Sequence, residues 1–338
     1  MQLKDLKAGV RFTGKALLKE VQIKRKKDGD LFAHLQIQDG HHLNHMMVWK
    51  VTEQQGIQLS SAKGKVLAIK DADVNPFNDQ LQLTVNDMKN IKVVERQNDD
   101  KSTWSGTYLV HAPVSSKVMR DYFQKQLKEI KKVYPEFDII INYIMKHYAH
   151  DFLAHPAAKS MHHSFLGGLA YHEYRMLKDL NRLQNPKIGK PLYHHVDINM
   201  DRAAIILHDI GKTKEMGTAE NPDYTILGTL SSHITICFDW IKEACDQNGI
   251  DSHQESIELL RHIILAHHGR KEWGSPVVPA TEDAMLVHLI DLMDSHMEMF
   301  EEAYVDQDAN TLGNRNFGLQ NVTPFKKPEN PDGSLKRD

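Results

Sequence analysis

The chain contains little cysteine: only Cys237 and Cys245 occur among its 338 residues. Two cysteines on one predicted helix cannot build the disulfide framework of a small secreted protein, so we expect a reducing, cytoplasmic setting. The sequence also lacks an apolar run long enough to cross a bilayer, and a basic-then-apolar leader at its start. We therefore expect neither export nor a membrane partner.

A strong excess of one charge is also missing. The chain has 42 Lys and Arg against 45 Asp and Glu, a formal net charge of −3, which excludes a generally basic nucleic-acid-binding protein. Any such binding must be local. Phosphate-binding glycine loops, dinucleotide fingerprints and internal repeats are absent, and His172-Glu173 does not continue to the second His of a zincin metalloprotease. The length of the chain predicts two domains.

Residues 1–95 carry the pattern of a small all-β unit. Apolar and polar residues alternate over 31–38 and again over 80–85, as in strands with one buried face. Short strands at this spacing predict a closed barrel. The string from Gly29 to Gly40, with Trp49 behind it, resembles an oligonucleotide-binding (OB) barrel. We expect Trp49 and Phe77 to belong to its core.

Two features make this barrel a candidate for nucleic-acid binding. Phe32 falls on the polar face of its strand, where an exposed ring can stack on a base. A basic tip lies beside it and suits phosphates, although a solvated hairpin turn explains the same residues. The tip consists of Lys24, Arg25, Lys26 and Lys27.

The second half of the chain places acids and imidazoles in apolar surroundings. An apolar run from Ala203 ends in His208-Asp209, followed by Lys212, and a packed core tolerates such groups only when something satisfies them. An ion pair that closes the helix would do so. A divalent ion would also do so, because imidazole and carboxylate together suit manganese, iron, cobalt or nickel. His172 falls on the apolar stripe of another helix and needs a partner too.

The order of these residues resembles the HD metal-dependent phosphohydrolase superfamily between residues 150 and 300. A first His is followed by the His-Asp pair and then by two single His residues and an Asp, each on an apolar helix face. The resemblance implies two divalent ions, which share the aspartate of the pair. It assigns His172, His208, Asp209 and Asp291 to one ion, and Asp209, His233 and His267 to the other.

Three neighbours leave this assignment open. Asp294 lies one turn beyond Asp291 and could take its place, and His268 and His288 each adjoin a proposed ligand. From the residues alone, each of these neighbours fits the helical spacing as well as the proposed ligand beside it.

The chemistry that the resemblance implies is phosphodiester hydrolysis. A pair of metal ions acidifies bound water and stabilises the departing oxygen, and Asp209 would be central to it. Lys212 can bind a phosphate oxygen as a compact charge. Alternatively, it can interact favourably with a helix dipole as a lysine at the C-terminal end of a helix. His162 and His163 can contact the scissile phosphate or complete a ligand shell, and a solvated position at a helix start explains them equally well.

The chain as a whole is predicted to be an OB barrel followed by an all-α HD bundle. We assign residues 1–95 to the barrel, 96–115 to a polar linker, 116–305 to the bundle and 306–338 to a partly disordered tail. This order, together with the string from Gly167 to His172, resembles the YhaM family of bacterial 3′→5′ exoribonucleases. That resemblance implies removal of 5′-mononucleotides from single-stranded RNA, with some action on DNA, assisted by manganese or cobalt.

Two other functions stay open, as does assembly into a homo-oligomer. An HD enzyme that acts on free nucleotides would show no dependence on oligomer length. A non-catalytic nucleic-acid-binding protein with a structural metal would need Phe32 but not Asp209. A cyclic-dinucleotide phosphodiesterase is disfavoured because residues 269–274 lack a Gly-Tyr-Pro signature. An alarmone hydrolase is disfavoured because no synthetase domain accompanies the bundle.

Overall fold

The computed structural model describes residues 1–40, 42–77, 80–94, 108–159, 161–185, 187, 189–305 and 307–330. Two compact units make up the chain. One comprises Met1–His111 and Thr218–Pro222, and the other comprises Ala112–Gly217 and Asp223–Asp338. Residues 96–107 of the predicted linker and residues 331–338 of the predicted tail lie outside the described residues.

The N-terminal unit is a closed barrel, as predicted. Its strand order is β1-β2-β3-β5-β4-β6, and β1 also pairs with β4, which closes the sheet. The strand pairs are antiparallel except for the parallel pair β3 and β5. A helix, α1, that the strand pattern did not predict lies between β3 and β4. The elements are β1 (Arg11–Arg25), β2 (Leu31–Asp39), β3 (His42–Val51), α1 (Glu53–Ser61), β4 (Val66–Phe77), β5 (Gln80–Asp87) and β6 (Ile91–Val93).

Alternation along β2 and β3 decides which side chains enter the barrel core. Ala33, Leu35 and Ile37 are fully buried, and the residues between them face outward. Val48 is also fully buried, so its neighbour Trp49 points outward and is 39% exposed. Phe77 ends β4 at its hairpin with β5 and is 56% exposed. The expectation that Trp49 and Phe77 belong to the core is therefore wrong.

The second unit is the predicted helical bundle, built around α5. Residues 203–207 of this helix are apolar and buried, and the helix packs against α2, α3, α4, α8 and α9. The helices are α2 (Ser116–Val133), α3 (Pro135–His147), α4 (Gly168–Gln184), α5 (Ile198–Leu207), α6 (Lys212–Glu215), α7 (Ile226–Asn248), α8 (Glu255–Ala266) and α9 (Glu282–Tyr304).

The segment after α9 folds back onto the end of that helix. Two short strands, β7 (Thr311–Leu312) and β8 (Phe325–Lys326), pair antiparallel. The Tyr304 hydroxyl donates to the Phe325 carbonyl at 3.1 Å, and the Lys326 ammonium donates to the carbonyls of Tyr304 and Gln307. Residues 307–330 are thus hydrogen-bonded to the bundle. Every helix among the described residues is too short or too polar to cross a membrane.

Candidate metal centre

Six side chains from five segments of the bundle meet at the C-terminal end of α5. His208 caps α5 and Asp209 follows it, and His267 caps α8 in the same way. The remaining three come from the buried faces of α4, α7 and α9. The six residues are His172, His208, Asp209, His233, His267 and Asp291.

Asp209 lies between four imidazoles. Its Oδ1 is 3.3 Å from Nε2 of His233 and 3.7 Å from Nε2 of His267. Its Oδ2 is 3.5 Å from Nε2 of His208 and 3.9 Å from Nε2 of His172. One carboxylate therefore faces two pairs of imidazoles, one pair on each oxygen.

Among the described residues, three groups have candidate ligand atoms within 4.8 Å of one another. One group, His163, His172 and Asp294, is joined by hydrogen bonds behind the His172 ring. The two clusters that face Asp209 are His172, His208 and Asp291, and His233, His267 and His268. His268 was an alternative in the sequence and joins the second cluster in space. His288, the other alternative, donates from Nδ1 to the His267 carbonyl at 2.8 Å.

Hydrogen bonds to Nδ1 orient the imidazoles. His208 donates to the carbonyl of Ile205 and His267 to that of Ile264, in each case three residues earlier in the helix. These carbonyls belong to the last helical turn, which lacks backbone partners. Because a carbonyl only accepts, Nδ1 carries the proton and Nε2 keeps its lone pair for a ligand.

Carboxylates orient the other two rings. His172 Nδ1 lies 2.7 Å from Asp294 Oδ2, and His233 Nδ1 lies 3.0 Å from Glu215 Oε1. Glu215 also accepts the backbone N–H of His233 at 3.0 Å. Carboxylates in this position behind a histidine are typical of metal sites, where they fix the tautomer and raise the basicity of the ligand.

These bonds leave buried nitrogen and oxygen atoms that face the centre. Nε2 of His172, His208, His233 and His267 and Oδ1 of Asp209 are buried and make no hydrogen bond among the described residues. Unsatisfied polar atoms are costly in a core, and five at one point need a common partner. Imidazole nitrogen with carboxylate oxygen suits a first-row divalent ion, so the residues present fit a metal.

The two aspartates of α9 occupy different positions. Asp291 Oδ1 lies 3.2 Å from Nε2 of His172, on the metal side of the ring. Asp294 lies behind the ring, where His163 Nε2 at 2.8 Å and Arg175 Nε at 2.6 Å also contact it. The geometry therefore favours Asp291 as the ligand and Asp294 as the residue that orients His172.

The electrostatics of the centre keep its acids ionised. Burial would raise the pKa of Asp209, but Lys212 and the neighbouring histidines hold it well below its usual value. Burial lowers the pKa of His208 and His267. Burial would also lower the pKa of His172, yet Asp291 and Asp294 raise it to about 10. A metal at Nε2 of His172 must therefore displace a proton.

Lys212 is the first residue of α6, a helix of four residues that follows the turn after α5. Its ammonium lies 2.6 Å from Asp209 Oδ2. It also lines a cavity of about 690 Å³ that opens beside the centre, together with His162, Asp209 and Asp291. Lys212 is thus within reach of any phosphate that approaches Asp209.

The adjacent histidines His162 and His163 separate in space. His162 lines the cavity, and burial lowers its pKa to about 3, so the ring is neutral. His163 is fully buried and contacts Asp294, behind His172. A solvated position is therefore wrong for His163, and only His162 faces the space where a phosphate would bind.

Close backbone contacts hold the His-Asp turn against α7. A side chain on Gly211 would collide with the carbonyl of His233, so only glycine allows this approach. Ser232 has φ of 56°, which breaks the helix just before His233. A left-handed conformation is uncommon for a residue other than glycine, and it directs His233 toward Asp209.

Sequence reasoning missed Glu215, because α6 has four residues and shows no period that could reveal a buried face. It also missed Trp273, whose carbonyl accepts the Nδ1 hydrogen of His268 at 2.9 Å. The adjacent pair His267-His268 at the end of an apolar helix was the available signal for that part of the site.

The barrel places its candidate residues on one outer face. Phe32 on β2 lies 6.0 Å from Trp49 on β3, centroid to centroid, and the Lys26 ammonium is 5.5 Å from the Trp49 ring. Lys24 and Arg25 end β1 and are exposed, as is Lys27 in the turn. The Arg25 guanidinium donates to the Gly29 carbonyl at 2.9 Å.

The chain matches known proteins over both units. Residues 169–295 match the HD domain family, whose members are metal-dependent phosphohydrolases. This match implies a divalent metal and hydrolase chemistry. The candidate ligand residues, from His172 to Asp291, lie within the matched range.

Curated relatives cover most of the chain. The 3′-5′ exoribonuclease YhaM of Bacillus subtilis (strain 168) is 30% identical over 299 residues, which are 88% of this chain and 89% of the relative. The protein of the same name from Bacillus pumilus (strain SAFR-032) is 34% identical over 219 residues, 65% of this chain and 67% of the relative. The chain therefore belongs to the YhaM family of 3′-5′ exoribonucleases.

Proposed function

We propose that this chain is a metal-dependent 3′→5′ exoribonuclease that hydrolyses single-stranded RNA and releases 5′-mononucleotides. The observation that supports this most directly is the set of buried, unpartnered Nε2 atoms around Asp209. The names of the relatives supply the substrate class and the direction.

The donor set supports two divalent ions that share Asp209. One ion would use His172, His208 and Asp291, and the other His233 and His267, with His268 available beside them. We propose manganese or cobalt, which the resemblance to the YhaM family implies, and iron or nickel also suits a site of imidazole and carboxylate ligands. When bound, such ions supply acidified water and charge that stabilises the leaving oxygen.

Two side chains of the cavity act directly on the phosphate in this proposal. The Lys212 ammonium exchanges part of its contact with Asp209 for a non-bridging phosphate oxygen. His162 Nδ1 is buried without a hydrogen bond, and its neutral ring can donate one hydrogen bond to the phosphate. Because the pKa of His162 is about 3, the ring orients the substrate and does not supply a proton at neutral pH.

The barrel, residues 1–95, would bind the strand upstream of the cleavage site. Outer faces of the second and third strands are a common nucleic-acid surface of OB barrels. Phe32 and Trp49 offer rings for stacking, and Lys24, Arg25, Lys26 and Lys27 offer charge for phosphates.

An RNA labelled at its 5′ end tests the proposal. With Mn²⁺ we expect the wild type to produce a ladder that shortens from the 3′ end and to release 5′-mononucleotides, and we expect Asp209→Asn to leave the RNA uncut. Asp239→Asn is the matched control, because Asp239 is exposed on α7 and does not line the cavity. Comparing the cleavage of this RNA with that of a DNA strand of the same sequence measures the preference for ribose over deoxyribose.

Other results would support other functions. Turnover of free nucleotides as fast as RNA, without dependence on length, would favour a nucleotide phosphohydrolase. RNA that binds but stays uncut by the wild type would favour a structural metal.

A further inference from the structure

The cavity beside the metal centre has a wall that the metal-holding residues do not form. Asp209, Lys212 and Asp291 line the cavity, and so do Trp273 and Phe317. A volume of about 690 Å³ falls in the range of about 300–1,000 Å³ usual for sites that bind small ligands. A nucleoside monophosphate is a ligand of this size.

One face of α9 forms a side of the cavity. Asp291, Leu292, Ser295 and Met299 all line the cavity, and they lie on one side of the helix. At 1.5 Å per residue, the cavity wall continues about 12 Å along the helix axis beyond Asp291. The space next to the metal centre is therefore deep enough for a sugar and a base beyond the scissile phosphate.

Trp273 supplies an aromatic surface in this space. Its indole is 39% exposed, with the His288 ring 6.2 Å away and the Arg270 guanidinium 4.8 Å from the ring centre. Its carbonyl accepts from His268, which fixes the turn relative to the metal centre. Exposed rings in nuclease channels stack on bases of any identity, because every base has a π-face.

A loop beyond the HD match forms the outer wall. Asn316 and Val322 are joined by a hydrogen bond of 2.9 Å, and Leu319 between them is buried. Gln320 and Asn321 both have positive φ, 55° and 65°, which persists in non-glycine residues only where the surroundings determine it. The loop presents Phe317, Gln320 and Asn321 to the cavity.

We propose that this cavity is the pocket for the 3′-terminal nucleoside of the RNA. Trp273 stacks on the terminal base, and the loop from Asn316 to Val322 forms the outer wall. This rests on the proposed function, since a 3′→5′ exonuclease must hold one nucleotide beyond the scissile phosphate while the rest of the strand leaves on the other side. Because stacking is independent of sequence, the pocket accepts all four bases.

The pocket is tested by removing the Trp273 ring and the 3′-terminal base, first separately and then together. The substrates are one RNA with an ordinary 3′-terminal nucleotide and the same RNA with an abasic 3′-terminal residue, scored on the first cleavage. In the wild type, loss of the base should raise KM by about tenfold. Trp273→Ala should raise KM for ordinary RNA by the same factor and should lose the distinction between the two substrates.

Further variants separate stacking from a structural role. Trp273→Phe should restore most of the distinction. Tyr224→Ala should keep it fully, because Tyr224 is an exposed ring of the same unit that does not line the cavity. Binding of AMP and of ribose 5-phosphate gives a readout without RNA. The wild type should bind AMP more tightly than ribose 5-phosphate, and Trp273→Ala should bind the two equally.

Three results overturn the pocket. The first is a wild type with the same KM for both RNAs. The second is a Trp273→Ala variant whose KM still differs between them. The third is a Trp273→Ala variant with a lower kcat than the wild type on the abasic RNA. If the wild type cuts no RNA, the proposed function fails instead, and the binding of AMP against ribose 5-phosphate still decides whether the pocket exists.

Discussion

At the residue scale, the site separates metal ligation from orientation of the ligands. Asp209 and Asp291 face Nε2 atoms, whereas Asp294 and Glu215 face the Nδ1 atoms of His172 and His233. The first pair contributes charge to the ion, and the second pair fixes each ring in the tautomer that can bind it. The two pairs should therefore respond differently to loss of charge.

Replacement of the two aspartates of α9 tests this division. Asp294→Asn should weaken Mn²⁺ binding by about 10- to 100-fold, because it removes an orienting carboxylate. Asp291→Asn should weaken it further, because it removes a ligand. Calorimetric titration of the metal-free protein measures both, with Asp239→Asn as the control. Equal losses in the two variants would contradict the division of roles.

Glu302 predicts a pH dependence of stability. Its Oε1 accepts the backbone N–H of His163 at 3.2 Å, and burial and Glu298 raise its pKa from 4.5 to about 7. The folded state thus prefers the protonated acid. Stability is fully present below pH 4.5, where both states are protonated, and is lost as the pH rises to about 7.

Urea unfolding of wild type and Glu302→Gln measures this effect. Between about pH 5 and pH 8, the wild type should lose about 1 kcal/mol more free energy of unfolding than the variant, because Glu302 is exposed and solvent screens part of the effect. Parallel pH profiles of the two proteins would show that the Glu302 carboxyl is not perturbed. Because the other acids titrate in both proteins, their contribution cancels when the free energies of unfolding of the two proteins are subtracted.

At the element scale, the centre depends on how the turn after α5 packs on α7. Gly211→Ala would place a methyl group against the His233 carbonyl, and overpacking of this kind costs about 1–3 kcal/mol. We expect lower stability and weaker Mn²⁺ binding, because His233 must move away from Asp209. Gly189→Ala is the control, since nothing lies within 4 Å of a side chain there. Unchanged metal affinity in Gly211→Ala would contradict this account.

The helices that carry the site were predictable because their apolar residues repeat at helical spacing. His172 and His208 stand out against that background. The distinction between Asp291 and Asp294 was not predictable, because the two are one turn apart on the same helix and differ only in which side of His172 they contact. Glu215 was hidden in a helix too short to show a period.

The loop after α9 illustrates a second limit. Its many Asn, Gly and Pro residues are typical of segments without regular structure, and the sequence predicted a partly disordered tail. The bond between Asn316 and Val322 and the packing of Gly318 against Met299 leave no periodic signal. Contacts of this kind can be recognised only in the three-dimensional structure.

At the scale of the whole molecule, the two units should act on different lengths of RNA. Phe32 lies on the barrel and Asp209 in the bundle, so only a strand that contacts both units can gain from both. Phe32→Ala should raise KM about tenfold for a long single strand and leave KM for a dinucleotide unchanged.

Measurement of kcat/KM against oligomer length checks this expectation. Ile57→Ala is the matched control, because it removes an exposed apolar side chain that lies on α1 and not on β2 or β3. A Phe32→Ala variant whose KM rises equally for both substrates would contradict a separate binding role for the barrel.

The most direct test of the central claim is a Mn²⁺ titration of the metal-free protein, followed by electron paramagnetic resonance. If the four imidazoles and two carboxylates hold a pair of ions around Asp209, the wild type binds two ions per chain, and their spectra show coupling between neighbours. Asp209→Asn then loses tight binding of both. An Asp209→Asn variant that binds the same number of ions with the same affinity as the wild type would contradict the account.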